Sequence, residues 1–242
     1  MSAAPEPERD GSTRSRGIRR YIRYALGEIL LIFLGITLAM SFSNWNEDRH
    51  HRRQEIEALA DIVTNLKAND DQFRRKIKQD TDNVAACERF VAALDRREPW
   101  SDALGRDLRQ CRWWTSPFLN SAAYESLKTK GTDLIVEPEL RSSIVNLYEQ
   151  VYAYLVNDRD KVFWAFHTAV MEPVFNRHVH PAAPDQYVPN DYASLLDSTE
   201  FSNMLLQKID TQRGSIEDQQ DALAETGKVI QLIETRLAAE PH

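Results

Sequence analysis

Apolar side chains in this chain follow three patterns that are typical of helices. A mostly apolar run extends over 19 residues, from Tyr24 to Phe42, and contains one charged residue, Glu28. After it, apolar residues recur at spacings of three and four as far as Leu94, and a similar repeat occupies residues 199–238. These periods match one face of an α-helix. They predict an all-α fold, in which an N-terminal transmembrane helix continues into a long coiled-coil-like helix, packed in an elongated helical bundle with a long C-terminal helix.

The apolar run has the length and the flanks of a membrane span. As a helix it covers roughly 28 Å, close to the ~30 Å hydrocarbon core of a bilayer. Tyr21, Tyr24 and Trp45 stand at its two ends, where aromatic residues favour the headgroup region. We therefore predict a transmembrane helix over residues 24–45, with these three side chains as interfacial anchors and the lipid bilayer as a partner.

A cleaved signal peptide is the main alternative to an anchor. The preceding segment is basic, and Ala39-Met40-Ser41 offers small residues at a spacing typical of cleavage sites. However, Glu28 interrupts the apolar run, and Phe42 and Trp45 continue its pattern beyond that point. We favour an uncleaved anchor; cleavage would instead yield an exported soluble binding protein.

The arginines around the span predict its orientation. Residues 1–23 form a basic tail, expected to be disordered, and the arginines in it are Arg9, Arg14, Arg16, Arg19, Arg20 and Arg23. Arg49, Arg52 and Arg53 follow the span but are accompanied by acidic residues. Cytoplasmic flanks carry the excess of Lys and Arg. The prediction is a single-pass protein of the bacterial inner membrane, with a cytoplasmic N-terminus and an extracytoplasmic C-terminal domain.

The stalk, residues 46–98, carries a heptad pattern. Its core positions are Ile56, Leu59, Val63, Leu66, Asp70, Phe73, Ile77, Asp80, Val84, Cys87, Val91 and Leu94. Ten of these twelve positions are apolar, and two aspartates interrupt the pattern. Pro99 ends the segment because a proline disfavours helix in the residue before it.

Counting backwards by sevens from the stalk places Glu28 and Gly35 on the same helix face, with Ala39 four residues further on. Small residues on such a face permit close helix approach in lipid, which makes a homo-oligomer through the transmembrane and stalk helix one possibility. Glu28 has two other interpretations: it extends towards the headgroups or pairs with Arg23, or it handles protons or ions.

The remaining segments were assigned from breaker residues and periodicity. Residues 99–175 are expected to form short and medium helices, residues 176–198 a proline-rich loop, and residues 199–238 a C-terminal helix. The apolar positions of that last helix repeat every seven residues and are Ile209, Ile216, Leu223, Ile230 and Leu237. Two long heptad helices in one chain most simply pack as an antiparallel pair, so the stalk alone does not require an oligomer.

Two blocks of sequence resemble a family of uncharacterised bacterial single-pass membrane proteins. The first is Gly27-Glu28-Ile29, Gly35-Ile36 and Asn44-Trp45-Asn46-Glu47; the second is "AAYESLKTKGTDLIVEPELRSSIVNLY", from Ala122 to Tyr148. The sequence departs from the family pattern at Ser41-Phe42-Ser43, where more amide side chains are expected. The resemblance implies a membrane-anchored helical protein and brings no known activity or catalytic residue.

The chain offers few residues for chemistry. Cys87 and Cys111 can form one disulfide in an oxidising compartment, although a small buried thiol fits Cys87 equally well. His167, His178 and His180 lack the further ligands of a metal site, and the sequence contains no phosphate-binding loop, metalloprotease helix or serine nucleophile elbow. We therefore predict no catalytic, cofactor-binding or metal-binding residue.

A distinctive outer stretch, Tyr124-Glu125-Ser126-Leu127-Lys128, is a candidate for partner recognition through Tyr124, Glu125 and Lys128. The acidic balance of the chain, with a net charge of −7, gives no sign of nucleic-acid binding. The leading hypothesis is a non-enzymatic membrane protein that acts as a scaffold, binding module or complex subunit with a membrane or periplasmic protein partner. The alternative is a membrane-anchored enzyme or ligand binder with a site near the aromatic and histidine region, which includes Trp113 and His167.

Overall fold

The computed structural model describes the backbone of residues 12–184 and 186–239, and the side-chain surroundings from Leu26 onward. The prediction of a mostly helical fold is confirmed, with one small hairpin as the exception. The chain divides into two units, Met1–Gln54 and Glu55–His242, and each is described by itself.

The first helix, α1, comprises Ser12–Asp95 and contributes to both units. In the first unit, every side chain described from Leu26 to Arg53 is exposed. We expected a disordered tail over residues 1–23, but the described part of that tail is helical from Ser12 onward. Arginine is a good helix former, and no proline follows Pro7 before the apolar run, so nothing in this sequence stops the helix. Residues 1–11 lie outside the described part of the chain.

At its other end, α1 stops within the expected stretch. Arg97 adopts a left-handed backbone conformation with φ 52°. The Arg97 N–H donates to the Leu94 carbonyl and the Glu98 N–H donates to the Ala93 carbonyl, which satisfies carbonyls of the last turn. Pro99 then prevents further helix.

Within the residues that the structure describes, the second unit contains seven further α-helices, and their ends follow ordinary capping rules. They are α2 (Asp102–Arg112), α3 (Ala122–Lys130), α4 (Pro138–Asn146), α5 (Asp160–Phe166), α6 (Glu172–His178), α7 (Tyr192–Leu196) and α8 (Thr199–Ala238). The Ser101 and Ser198 side chains cap α2 and α8, and Pro138 begins α4. A short 3₁₀ turn covers Thr132–Leu134.

Wide π-helical turns join α4, α5 and α6. They cover Leu147–Tyr152, Tyr154–Arg159 and His167–Met171. Such turns are rare in proteins and often accompany functional sites.

The segment predicted as a proline-rich loop, residues 176–198, is largely structured. It contains the end of α6, the antiparallel strands β1 (Val179–Ala183) and β2 (Gln186–Pro189), and α7. Prolines suggested a loop because they remove ladder donors. In a two-stranded sheet both strands are edges, so a proline can sit where no donor is needed.

Two core clusters fill the second unit. The first core cluster includes Leu59, Ile62, Leu66, Phe73, Leu127, Ile144, Leu147, Tyr152, Val229 and Ile233. The second core cluster includes Cys87, Phe90, Leu108, Cys111, Phe175, Leu195, Phe201 and Leu205. Helix α8 runs antiparallel to the stalk part of α1 along both clusters, since Glu55 contacts Arg236 at one end and Glu88 contacts Arg213 at the other.

Candidate functional site

The loop after α2 is fixed at its start to both α1 and α8. Cys111, in the last turn of α2, is joined to Cys87 of α1 by a disulfide, with 4.7 Å between their Cα atoms. Two residues later, the Trp113 carbonyl accepts hydrogen bonds from Asn83 Nδ2 of α1 at 3.5 Å and from Lys208 Nζ of α8 at 3.3 Å. The backbone at Trp113 is therefore held by two helices while its indole remains 50% exposed.

A surface groove of about 410 Å³ lies beside this fixed segment, between α1 and α2. Its lining residues are Arg75, Lys78, Gln79, Asp82, Asn83, Arg109, Gln110 and Trp113. Lys78 is neutralised by Asp82 at 2.7 Å. For Arg75 and Arg109, the described part of the chain places no carboxylate within ion-pair distance. The groove therefore carries two uncompensated guanidinium groups next to an exposed indole.

An adjoining cleft of about 270 Å³ shares Arg109 and Trp113 with the groove. Here the polar groups pair with one another: Arg112 donates to Glu172 Oε1 at 2.5 Å and to the Tyr187 hydroxyl at 2.7 Å.

His167 completes this cleft. Its Nε2 lies 3.2 Å from Glu172 Oε1, and its Nδ1 has no hydrogen-bond partner among the described atoms. Burial lowers the pKa of His167 despite the nearby Glu172 carboxylate. Arg112, Glu172 and His167 in this cleft therefore contact one another, while Arg109 is shared with the groove.

Behind the groove, a polar layer of Lys76, Asp80, Gln212 and Gln219 separates the two core clusters. Asp80 is 2% exposed. Its carboxylate accepts from Lys76 Nζ at 2.5 Å and from the side-chain amides of Gln212 and Gln219 at 3.0 Å each. The aspartate that interrupts the heptad pattern is therefore a fully engaged buried acceptor.

Lys208 lies beside this layer and is completely buried. Its ammonium lies 4.3 Å from the centroid of the Phe163 ring, in a cation–π geometry. The negative charge of Asp80 acts to raise the pKa of Lys208. Burial dominates, however, and lowers the pKa of Lys208 to about 7.

The stretch proposed for partner recognition has structural contacts of its own. Tyr124 is buried and stacks on Tyr148 at 4.4 Å, and its hydroxyl donates to Glu149 at 3.0 Å. Lys128 lies 3.0 Å from Glu149 and 3.7 Å from Glu125, so it is shared between two carboxylates. The hydrogen bond from Lys128 lowers the pKa of Glu149. Of the three residues, Glu125 and Lys128 remain accessible to a partner, and recognition by this stretch stays a prediction.

In the first unit, the structure places Glu28, Gly35 and Ala39 on exposed helix surface, and a side chain added at Gly35 would meet nothing within 4 Å. Trp45 carries the Arg49 guanidinium 4.8 Å above its ring. Tyr21 and Tyr24 lie in the helical backbone, but their side chains are outside the described part. The roles predicted for these residues therefore stay predictions.

His178 and His180 make local contacts. His180 Nδ1 lies 2.6 Å from Asn190 Oδ1, and His178 Nε2 lies 3.2 Å from the Ser198 hydroxyl. Across the residues that the structure describes, no three His, Cys, Asp or Glu side chains come together as a group that could hold a metal ion.

Sequence reasoning missed Arg75 and Arg109, because exposed arginines on helices look like ordinary solvated faces. It also missed Lys208 and the two glutamines of the polar layer. A signal for the glutamines was present: Gln212, Gln219 and Thr226 repeat every seven residues, three places after Ile209, Ile216 and Leu223.

One helix in the described residues, α1, is long and apolar enough to cross a membrane, and none of its most apolar window is buried. A mostly helical protein with one such helix is the class that fold and sequence define. The chain belongs to a family of unknown function, DUF6090, whose profile matches residues 28–163. This confirms the expectation of an uncharacterised family, while single-pass membrane character and bacterial origin stay predictions. No curated protein and no solved structure matches the chain.

Proposed function

We propose that this is a single-pass protein of the bacterial inner membrane, whose second unit lies outside the cytoplasm and acts as a non-enzymatic scaffold, binding module or complex subunit. The observation that carries the proposal is the fully exposed apolar surface of the first unit. Side chains from Leu26 to Trp45 include ten or more large apolar groups that nothing in this unit covers. Water disfavours so large a contiguous apolar surface, whereas lipid accommodates it.

The orientation is supported from both sides of the span. The six arginines before it favour a cytoplasmic N-terminus. The disulfide between Cys87 and Cys111 favours an oxidising compartment for the second unit, because cytosolic thiols are kept reduced. These two arguments are independent, since one uses the charge of the tail and the other uses cysteines in the second unit.

A binding role is supported over catalysis by the state of the polar groups. The Glu172 carboxylate is engaged by both Arg112 and His167, and burial shields the Lys208 amine from solvent. The alternative of a ligand-binding or catalytic site near the aromatic and histidine region is favoured by one observation, the cleft that these residues line together with Trp114.

Topology is tested by fusing alkaline phosphatase or a fluorescent protein to the C-terminus of the full chain in bacteria. We expect active phosphatase, no fluorescence, and retention in carbonate-washed membranes. Replacing Arg14, Arg16, Arg19, Arg20 and Arg23 with glutamine removes the charge bias and should reduce phosphatase activity. A matched control replaces arginines far from the span, such as Arg96 and Arg106, and should change nothing.

The intact mass of the membrane-derived protein tests the anchor itself. Retention of the apolar segment supports the proposal. Loss of everything before Phe42 would instead establish the exported soluble protein, and a fluorescent fusion without phosphatase activity would contradict the orientation.

A self-association face through Glu28 and Gly35 is part of the same proposal. If it exists, Gly35→Leu should weaken chemical cross-linking of the full chain in mild detergent, because the larger side chain separates the helices. Gly27→Leu, also in open space but outside the 28/35 spacing, is the control. Equal cross-linking of the parent protein and both variants would contradict self-association through this face.

A further inference from the structure

The groove between α1 and α2 concentrates positive charge in an acidic protein. The chain has a net charge of −7, yet Arg75 and Arg109 face one depression and have no carboxylate partner within the described residues. Elsewhere in the second unit, exposed arginines such as Arg89 and Arg213 pair with Asp107 and Glu88. In this groove, two guanidinium groups without a carboxylate partner lie together beside an exposed indole.

The groove is also preorganised. Arg109 and Trp113 flank Cys111, whose disulfide fixes them to α1, the helix that carries Arg75. The Trp113 carbonyl is held by Asn83 and by the buried Lys208. Groups held in place before binding lose little conformational freedom when a ligand arrives.

We propose that this groove binds a small anionic ligand that carries a carboxylate or phosphate group next to a planar apolar moiety. The guanidinium groups of Arg75 and Arg109 would receive the anion, since their planar N–H donors match carboxylate and phosphate oxygens. The exposed indole of Trp113 would pack against the apolar part, and the amides of Gln79 and Gln110 offer further hydrogen bonds. A volume of about 410 Å³ is in the range of small-molecule sites.

The adjoining cleft does not provide the same chemistry. Its own cation, Arg112, is already neutralised by Glu172 and further occupied by the Tyr187 hydroxyl. Anion selectivity is therefore assigned to Arg75 and Arg109. This inference goes beyond the proposed function, because it does not depend on which side of a membrane the second unit occupies.

Isothermal titration of the full chain in neutral detergent tests the proposal, with phenyl phosphate, phenylacetate and benzyl alcohol as probes. We expect one-site binding of at least one of the two anions and none of the neutral alcohol. Preference between the two anions identifies the ligand as a phosphate or as a carboxylate. Affinity should fall at higher salt, since the interaction is electrostatic.

Two variants and one matched control locate the site. Arg75→Gln and Arg109→Gln should each weaken anion binding at least about tenfold, the loss expected for one charge-assisted contact. Arg106→Gln is the control, because Arg106 is an exposed arginine on the same helix α2 but lines a separate depression of about 260 Å³. Its affinity should equal that of the parent, and unchanged thermal unfolding in all three variants excludes a folding effect.

Two further measurements test the apolar contact and the preorganisation. If Trp113 packs against the apolar part of the ligand, the parent protein should bind phenyl phosphate more tightly than inorganic phosphate. Trp113→Ala should abolish this difference in affinity. Reducing the disulfide should weaken binding, because Arg109 and Trp113 are no longer fixed to α1. The proposal is overturned if neither anion binds the parent protein, or if Arg106→Gln weakens binding as much as Arg109→Gln.

Discussion

The two core clusters of the second unit solve the same packing problem with different means. The first core cluster joins α1 and α8 to α3, α4 and the π-helical turns. It also contains Tyr124 stacked on Tyr148, with Tyr152 packed edge-to-face against Tyr148. The second core cluster uses shorter elements, including the hairpin and the five-residue α7, and it contains the disulfide. Short helices and isolated hairpins are marginal in water. We infer that the second core cluster depends on its disulfide for stability, whereas the first is stabilised by the apolar faces of long helices.

The family match covers parts of both clusters. Residues 28–163 include the α1, α3 and α4 residues of the first core cluster and the α1 and α2 residues of the second, whereas α8 and the hairpin lie beyond them. The polar layer around Asp80 lies between the clusters. Four predictions test whether the two clusters and this layer are stabilised by the different interactions described above.

The largest effect is expected from Asp80→Ala. Removing the carboxylate leaves Lys76 and the amides of Gln212 and Gln219 buried without their acceptor, which should cost about 3–5 kcal/mol in free energy of unfolding. Denaturant unfolding of the protein in detergent measures it. Asp82→Ala, two residues on and exposed in its pair with Lys78, should change stability little. Equal losses in the two variants would mean that the polar layer does not couple the clusters.

The next effect concerns the disulfide. Replacing Cys87 and Cys111 with serine opens a loop whose ends are 24 residues apart, for which chain entropy predicts a loss of about 3 kcal/mol. Hydrogen exchange should accelerate around Leu108, Leu195 and Phe201 but not around Leu66 and Ile144. Reducing agent should reproduce this pattern in the parent protein and have no effect on the double variant. Uniform acceleration across both clusters would contradict the comparison.

A pH effect is expected from Lys208. Its pKa is about 7 in the folded protein against 10.5 for an ordinary lysine, so between these values the unfolded chain binds more protons. Stability should therefore rise with pH in this window, by up to about 1.4 kcal/mol per pH unit. Below pH 7 Lys208 is protonated in both the folded and the unfolded state, so it should add no pH dependence there.

Lys208→Met removes this titration and should flatten the dependence between neutral and moderately alkaline pH, as measured by denaturant unfolding. Lys228→Met, which alters an exposed lysine on the same helix, should retain the slope of the parent. If Lys208→Met keeps that slope as well, Lys208 does not titrate in this range.

The smallest effect separates two neighbouring tyrosines of the first core cluster. Tyr152 shares a hydrogen bond of 2.7 Å with the Thr226 hydroxyl, so Tyr152→Phe should cost about 1 kcal/mol. The buried Tyr148 hydroxyl has no hydrogen-bond partner within the described structure, so Tyr148→Phe should be neutral or slightly stabilising. Thermal unfolding compares them directly, and a greater loss for Tyr148→Phe would reveal a partner for its hydroxyl.

Much of the fold could be predicted because long helices repeat their apolar positions many times. The heptad repeat of the last segment predicts the extent of α8, and Pro99 predicts the end of α1. The hairpin could not be predicted in the same way, since Val179–Ala183 lacks alternating apolar residues and contains Pro181. The π-helical turns leave no sequence signature that distinguishes them from regular helix.

The candidate site was harder to predict than the fold. The sequence indicates Trp113 only as part of the aromatic and histidine region, because its fixed position depends on Asn83 and Lys208, which lie 30 and 95 residues away in sequence. Asp80 was read as an interruption because its partners come from α8. Pairings between distant segments carry the chemistry here, and periodicity within one segment does not reveal them.

The antiparallel pairing of α1 with α8 also sets the order in which the second unit can be completed. Glu55 pairs with Arg236, which lies 181 residues later in the chain. Asp80 accepts hydrogen bonds from Gln212 and Gln219, which lie 132 and 139 residues later. During synthesis from the N-terminus, the stalk emerges long before its packing partner exists. Its apolar face therefore remains uncovered until α8 has been made, and a chaperone or the translocation machinery has the whole intervening interval in which to bind it.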